Sequence, residues 1–269
     1  MIRQPAVAGY FYPAEPDELG REVDAFLAPQ KSAEKLKALG CVVPHAGYRY
    51  SGGVAGAVFA RLDLPKRYIL LCPRHYPQGA ALAVYPDGEW VTPLGTVRVD
   101  GELAAALKHE FPSLREDWVA HSEEHALEVQ LPFLQRLVGE FRFVPIAIGP
   151  VRFDALAGLG RAMARVIAAV KETVLIVASS DMNHFESDAV TRVKDRKAIE
   201  RILALDARGL YDTVQREQIS MCGVGPATAM LTAAGEMGAA RAVEIQYATS
   251  ADASGDKKRV VGYAGIVVQ

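Results

Sequence analysis

The sequence predicts an α/β sandwich: a mostly parallel central sheet with helices on both of its faces. Three observations predict it. Short runs rich in Val and Ile recur without apolar–polar alternation, the pattern of strands covered on both sides. Between them lie stretches whose apolar residues repeat with helical period. No repeat, low-complexity tract or linker-like stretch interrupts the pattern, so residues 1–269 read as one domain.

In chain order, Leu19, Val23, Phe26 and Leu27 share one helical face, with Asp17 near the N-cap. Strands are expected at Cys41-Val42-Val43 and Tyr68-Ile69-Leu70-Leu71. Residues 81–99 alternate, contain Pro86-Asp87-Gly88 and Trp90, and read as an antiparallel excursion. Leu127, Leu131, Leu134 and Val138 form a helical stripe that Pro132 should kink or split. The run from Phe143 to Ile148 is a strand in which Pro145 argues for an edge or a bulge. A long helical stripe runs from Phe153 to Val170, followed by a strand from Val174 to Ala178. A helix from Ala227 to Met237 and strands at Ala242–Ile245 and Val260–Val268 complete the chain.

Thirty Lys and Arg against 32 Asp and Glu give a net charge of −2, no electrostatic footprint for nucleic acid or an acidic membrane. No apolar run approaches the ~18 residues of a membrane span. The opening MIRQPAVAGYFYPAEP lacks the continuous apolar core of a secretory signal. Three cysteines, Cys41, Cys72 and Cys222, are too few and too scattered for a disulfide framework, and a cytoplasmic protein is expected.

Ligands in α/β folds bind beyond the carboxyl ends of the strands. His45 follows the first strand, His75 the second, and Asp181 and His184 follow the strand ending at Ala178. A single histidine after a strand is usually structural; four candidates in the same position on three strands point to chemistry. His125 and Glu128, three apart, share a face at a helix start. Cys222 lies just before a helix, where a thiolate is favoured. Blander readings go to Cys41 and Cys72 (small buried hydrophobes), His109 (solvated), Glu123-Glu124 (an exposed helix start) and Asp252 to Arg259 (a solvated loop). Gly52-Gly53 could cradle an anion at a helix start, but no dinucleotide, Walker or Gly-x-Ser-x-Gly motif is present.

Two neutral imidazoles plus one anionic ligand hold a divalent metal with open positions. A carboxylate as the anion gives the facial set of Fe(II) oxygenases; the Cys222 thiolate makes the site softer, so that Zn(II) and Cu(I) compete with Fe(II). Asp181 and His184 would then orient groups and move protons. A metal-free alternative uses Cys222 as nucleophile and a histidine as base.

Six ordered blocks resemble the Memo family, also called the AmmeMemoRadiSam system protein B family. They are Arg3 to Pro13, Pro44 to Gly52, Pro73-Arg74-His75, Glu124 to Phe133, Ser179 to His184, and Met221-Cys222-Gly223. The resemblance implies a fold like that of LigB-type class III extradiol dioxygenases, which are non-haem iron enzymes that open catechol rings. It implies His45, His75 and Cys222 as metal ligands, with Asp181, His184 and His125 as the other pocket residues and Glu128 beside them. A cysteine stands where those dioxygenases have a glutamate, and Cys72 and Arg74 stand where Gly and Ser are expected. The function expected is thus a metal-dependent, dioxygenase-like oxidoreductase acting on a vicinal-diol or catechol-like small molecule. Fe(II) is the expected metal, with Cu(I) or Zn(II) as alternatives. Its rivals are a copper- or iron-binding or peptide-binding adaptor and a zinc hydrolase. The family's names imply an AMMECR1-like protein and a radical SAM enzyme as partners. Tyr48 and Tyr50 are candidates for the mouth of the pocket.

Overall fold

The computed structural model describes residues 1–269. The first half of the chain forms β1 (Ile2–Arg3), α1 (Pro16–Leu27), β2 (Gly40–Val43), α2 (Tyr48–Arg61), β3 (Arg67–Pro73) and β4 (Leu82–Val84). It continues with β5 (Glu89–Thr92), β6 (Gly95–Val99), α3 (Gly101–Glu110), β7 (Arg115–Glu116), α4 (Val119–Ser122) and α5 (Leu131–Val138). The second half forms β8 (Arg142–Ile148), α6 (Phe153–Ala169), β9 (Val174–Ser179), β10 (His184–Glu186), α7 (Asp188–Leu203) and α8 (Ala207–Arg216). It ends with α9 (Val224–Glu236), β11 (Ala242–Thr249), α10 (Ser250–Ser254) and β12 (Val260–Val268). No helix is long and apolar enough to cross a membrane.

The strands join in one sheet, ordered β1-β5-β6-β8-β3-β9-β2-β12-β10, with β11 on β12 and β4 on β8. From β6 to β2 the pairing is parallel throughout. The expectation of a mostly parallel sheet holds for this middle and for the short pairs β1–β5 and β4–β7. Elsewhere β12 runs antiparallel to β2, β11 and β10, β4 to β8, and β5 to β6, so the sheet is mixed. For β5–β6 and β11–β12 the reason is connection length: β5 and β6 are joined through Pro93-Leu94 alone, and β11 returns to β12 through α10, whereas a parallel pair needs a long crossover.

Alternation along the middle strands builds two cores. Val42, Ile69, Leu71, Ile176 and Ala178 face α3, α6, α7, α8 and α9. Cys41, Val43, Tyr68, Leu70, Cys72 and Val177 face α1, α2 and α5. Helices therefore cover both faces, which is why these strands read as continuous apolar runs. Cys41 and Cys72 are fully buried, as expected of small hydrophobes.

Three local readings need adjusting, and a fourth holds. Pro145 lies mid-sheet, not at an edge or a bulge, because β8 changes neighbours there: β6 pairs with its first two residues and β4 with its last three. The Pro145 carbonyl accepts from Tyr85 N on that side, so the missing donor faces the changeover. Gly52 lies inside α2, where a Cβ would come within 2.5 Å of the Phe26 ring; its smallness serves helix packing rather than an anion. The stretch from Asp252 to Arg259 is exposed but begins in α10, held by a Thr249–Asp252 capping box. Pro132 splits its stripe as expected, since Glu128–Gln130 form a 3₁₀ turn and the proline sits in the first turn of α5.

Candidate metal centre

Because β9 lies between β3 and β2 and all three are parallel, the loops at their carboxyl ends are neighbours. His45 follows β2, His75 follows β3, and Ser179 ends β9 with Ser180 and Asp181 directly after it. His125 arrives from the segment between α4 and α5. One ligand atom from each of His45, His75 and His125 lies within 4.8 Å of the other two. The His75 and His125 rings stack with centroids 4.7 Å apart, and His45 meets both edge-on, at 5.1 and 5.6 Å. The strand-end pattern thus locates two of the three imidazoles, and His125, expected beside the metal, stands in the cluster itself.

Hydrogen bonds fix which nitrogen faces inward. His75 Nδ1 is 2.9 Å from Glu124 Oε1, and Glu124 Oε2 accepts from His75 N at 2.7 Å. An ionised carboxylate only accepts, so Nδ1 carries the proton and the Nε2 lone pair is free. His45 Nδ1 is 2.8 Å from Ser179 Oγ, whose own proton goes to the Ala126 carbonyl. Ser179 therefore accepts from His45, and His45 Nε2 is again the free acceptor. Carboxylate or hydroxyl support behind an imidazole is the usual backing of a metal-ligating histidine. Phe11 packs on His125 with ring centroids 4.7 Å apart.

Burial governs the charge of the cluster. Desolvation, and then the neighbouring His75, holds His45 well below the ordinary histidine value. Desolvation, and then His45, lowers His125 to about 4. Burial works to raise Glu124, but hydrogen bonds from His75 and its charge outweigh it, and the carboxyl sits at about 2. Near neutral pH the site thus sets uncharged His45 and His125 against a fixed carboxylate.

Cys222, Asp181 and His184 surround the cluster without joining it. Cys222 Sγ lies 3.2 Å from His45 Nε2 and accepts from Asp181 N at 3.2 Å. Burial first, and then the Asp181 carboxylate, pushes the Cys222 thiol well above its usual value. The expectation that the start of α9 favours a thiolate is therefore corrected: desolvation in this position exceeds the pull of one helix end. Asp181 Oδ1 accepts from His45 N at 2.8 Å. His184 is held by Ser220, whose carbonyl lies 2.8 Å from Nδ1. That carbonyl only accepts, so His184 Nε2 is unprotonated in the neutral ring and able to take a proton.

Behind His184, buried Asp195 accepts from Asn183 N at 2.8 Å and from Tyr247 Oη at 2.7 Å. Desolvation raises its carboxyl to about 7. A folded-state value above the unfolded one adds stability that is complete below about pH 4 and is lost as pH rises through 7. Asp195→Asn should therefore gain on the wild type between pH 5 and pH 8 in thermal melts; a gap independent of pH would refute this.

One functional position escaped the sequence, and others take different roles from those expected. Glu124, read as exposed, is 1% exposed and props His75. Nothing local distinguishes it from exposed Glu123; adjacency to His125 was the available signal. Glu128 does not touch the cluster but binds Arg3, Ala6 N, Val7 N and Tyr12. Tyr48 is buried with its hydroxyl on the Val129 carbonyl, so it packs rather than lining a mouth; Tyr50 is exposed. His109 is exposed, as expected.

The comparisons with known proteins agree over the whole chain. The profile described as Memo-like protein matches residues 3–267. A MEMO1 family protein of Methanopyrus kandleri is 42% identical over 279 residues, covering 99% of each chain. One from Pyrobaculum arsenaticum is 42% identical over 276 residues, covering 99% of this chain and 98% of its own. One from Aquifex aeolicus is 39% identical over 267 residues, again covering 99% and 98%.

Proposed function

The chain belongs to the Memo-like protein family, and from that premise we propose that it is a metal-dependent oxidoreductase of the extradiol type. The observation that carries this reading is the convergence of His45, His75 and His125. The donor set suits a divalent first-row metal: burial keeps His45 and His125 uncharged, and His45 and His75 have Nδ1 committed behind them and an unprotonated Nε2. His45 and His75 would hold the ion, with His125 or Cys222 as third ligand. When bound, Fe(II) supplies Lewis acidity toward a chelating vicinal diol or catechol and redox chemistry with O₂. His184, its Nδ1 fixed by Ser220, would take the diol proton on Nε2. Asp181 would hold the His45 loop through the His45 N–H.

The soft Cys222 sulfur beside His45 favours one rival, a Cu(I) binder without turnover. Anaerobic purification and metal analysis of the wild type, His125→Ala and Cys222→Ser tests both readings. Stoichiometric iron lost in His125→Ala and kept in Cys222→Ser assigns a three-histidine site. The reverse assigns the thiolate. Copper without oxygen uptake on catechols would favour the binder, and absence of any metal in all three proteins would refute the proposal.

A further inference from the structure

We propose that the substrate of this site carries an acidic group, a carboxylate or a phosphate, that docks in a cationic pocket between the loops following β3 and β8. Its place beside a metal rests on the reading above; the pocket itself does not.

The cavity is about 460 Å³, and Arg74, Arg152, Tyr211, Gln215 and Cys222 are among its lining residues. No aspartate or glutamate lines it. Some arginines elsewhere are paired, such as Arg136 with Asp24, Arg165 with Glu110 and Arg196 with Glu244. Neither Arg74 nor Arg152 has a carboxylate partner. Arg74 turns Nη1 to the Gly79 carbonyl, while its Nε is buried with no hydrogen-bond partner at all. Two like charges at one pocket repel, and an anion between them removes that cost.

Backbone chemistry agrees. The pocket's wall includes the first turn of α9, where the N–H groups of Val224 and Gly225 have no backbone acceptor. Gly149 packs flat against Arg74, since a Cβ there would sit 3.2 Å from Nε. Val151, Leu156 and Pro226 add an apolar surface for an organic body. Orientation follows from two shared residues: Cys222 lines the pocket and lies 3.2 Å from His45 Nε2, and Arg74 directly precedes His75. An acid group between the arginines would leave the rest of a small molecule directed to the imidazoles. Arg74 is thus a specificity-determining residue.

Metal-free protein isolates this inference from the metal reading. Calorimetric titration would compare neutral catechol with 3,4-dihydroxybenzoate and phenyl phosphate, on the wild type, Arg74→Met, Arg152→Met and the double variant. The wild type should prefer at least one anion over catechol, and each arginine removed should weaken that anion about tenfold, the usual scale for one charge-assisted contact. Catechol affinity should stay constant. The tighter anion identifies the acid group. Equal binding of all three probes, including no binding, or a preference that survives in the double variant, would overturn the proposal. Metal content measured on the same preparations before stripping reports separately on the proposed function.

Discussion

Protein carrying His75→Ala is expected to lose essentially all of its bound metal while keeping its fold. His75 sits on a loop, its side chain 29% exposed, and no strand pairing depends on it. Its removal takes away one of three convergent donors and also the hydrogen-bond partner of Glu124, so circular dichroism must show the fold retained. Glu124→Gln isolates the support from the ligand. It keeps an acceptor for the His75 N–H but withdraws the charge that favours Nδ1–H, and affinity should fall about 10- to 100-fold, the usual cost of losing a partner behind a metal ligand. The same carboxylate predicts an acid limit. Held at about 2 in the folded state, it adds stability that is complete above the unfolded carboxyl value and is lost as pH falls toward 2. Wild-type metal-free protein should thus lose stability below about pH 4 more steeply than Glu124→Gln, whose side chain does not titrate. Full metal content in His75→Ala would remove the histidine cluster from the metal site.

What could be read from residues alone follows from which information is local. The middle strands were legible because burial on both faces leaves a continuous apolar run, and their order along the chain placed His45, His75 and Asp181 at equivalent ends. The antiparallel excursion at 81–99 was legible as well, but the C-terminal strands were not, since direction depends on connection geometry: β12 looks like any buried strand and runs antiparallel to β11 because α10 returns the chain so soon. The site shows the same division. The strand-end rule finds a histidine after a strand, but His125 comes from a turn, and its entry depends on how residues 123–127 pack beneath β2 and β9. Ser179 and Gln130 show that packing: Ser179 bonds the Ala126 carbonyl and Gln130 the Pro44 carbonyl. Glu124 and Glu128 are both carboxylates in a charged patch, yet each is buried against partners more than 45 residues away, which no local pattern reveals. The family resemblance flagged the block; only geometry separated the roles within it.

Those roles predict the largest stability effect in the molecule. Glu128 has no exposed surface, and its two oxygens accept from Arg3 Nη1 at 2.7 Å, Ala6 N at 2.7 Å, Val7 N at 3.1 Å and Tyr12 Oη at 2.6 Å. Arg3 is itself buried, its guanidinium 4.1 Å from the Trp90 ring centroid, with further bonds to the carbonyls of His121 and Glu124. Glu128→Ala therefore leaves an uncompensated buried cation and three donors without an acceptor. Breaking one partner of such a pair costs about 3–5 kcal/mol, a large share of the roughly 5–15 kcal/mol of a typical domain. Denaturant titration should show a lower midpoint of that size, with Glu128→Gln between the two because an amide keeps one accepting oxygen but turns its N–H groups toward Arg3. The effect should reach the metal centre. Residues 3–12 carry Phe11, whose ring packs on His125 and whose carbonyl accepts from Tyr48 N, so freeing the segment unseats one imidazole of the cluster. At a temperature where the variant is still folded, its metal affinity should fall although Glu128 touches none of the three histidines. A loss below about 1 kcal/mol would mean that the N-terminal segment is held mainly by its apolar contacts, and unchanged metal affinity would mean that His125 keeps its place without Phe11.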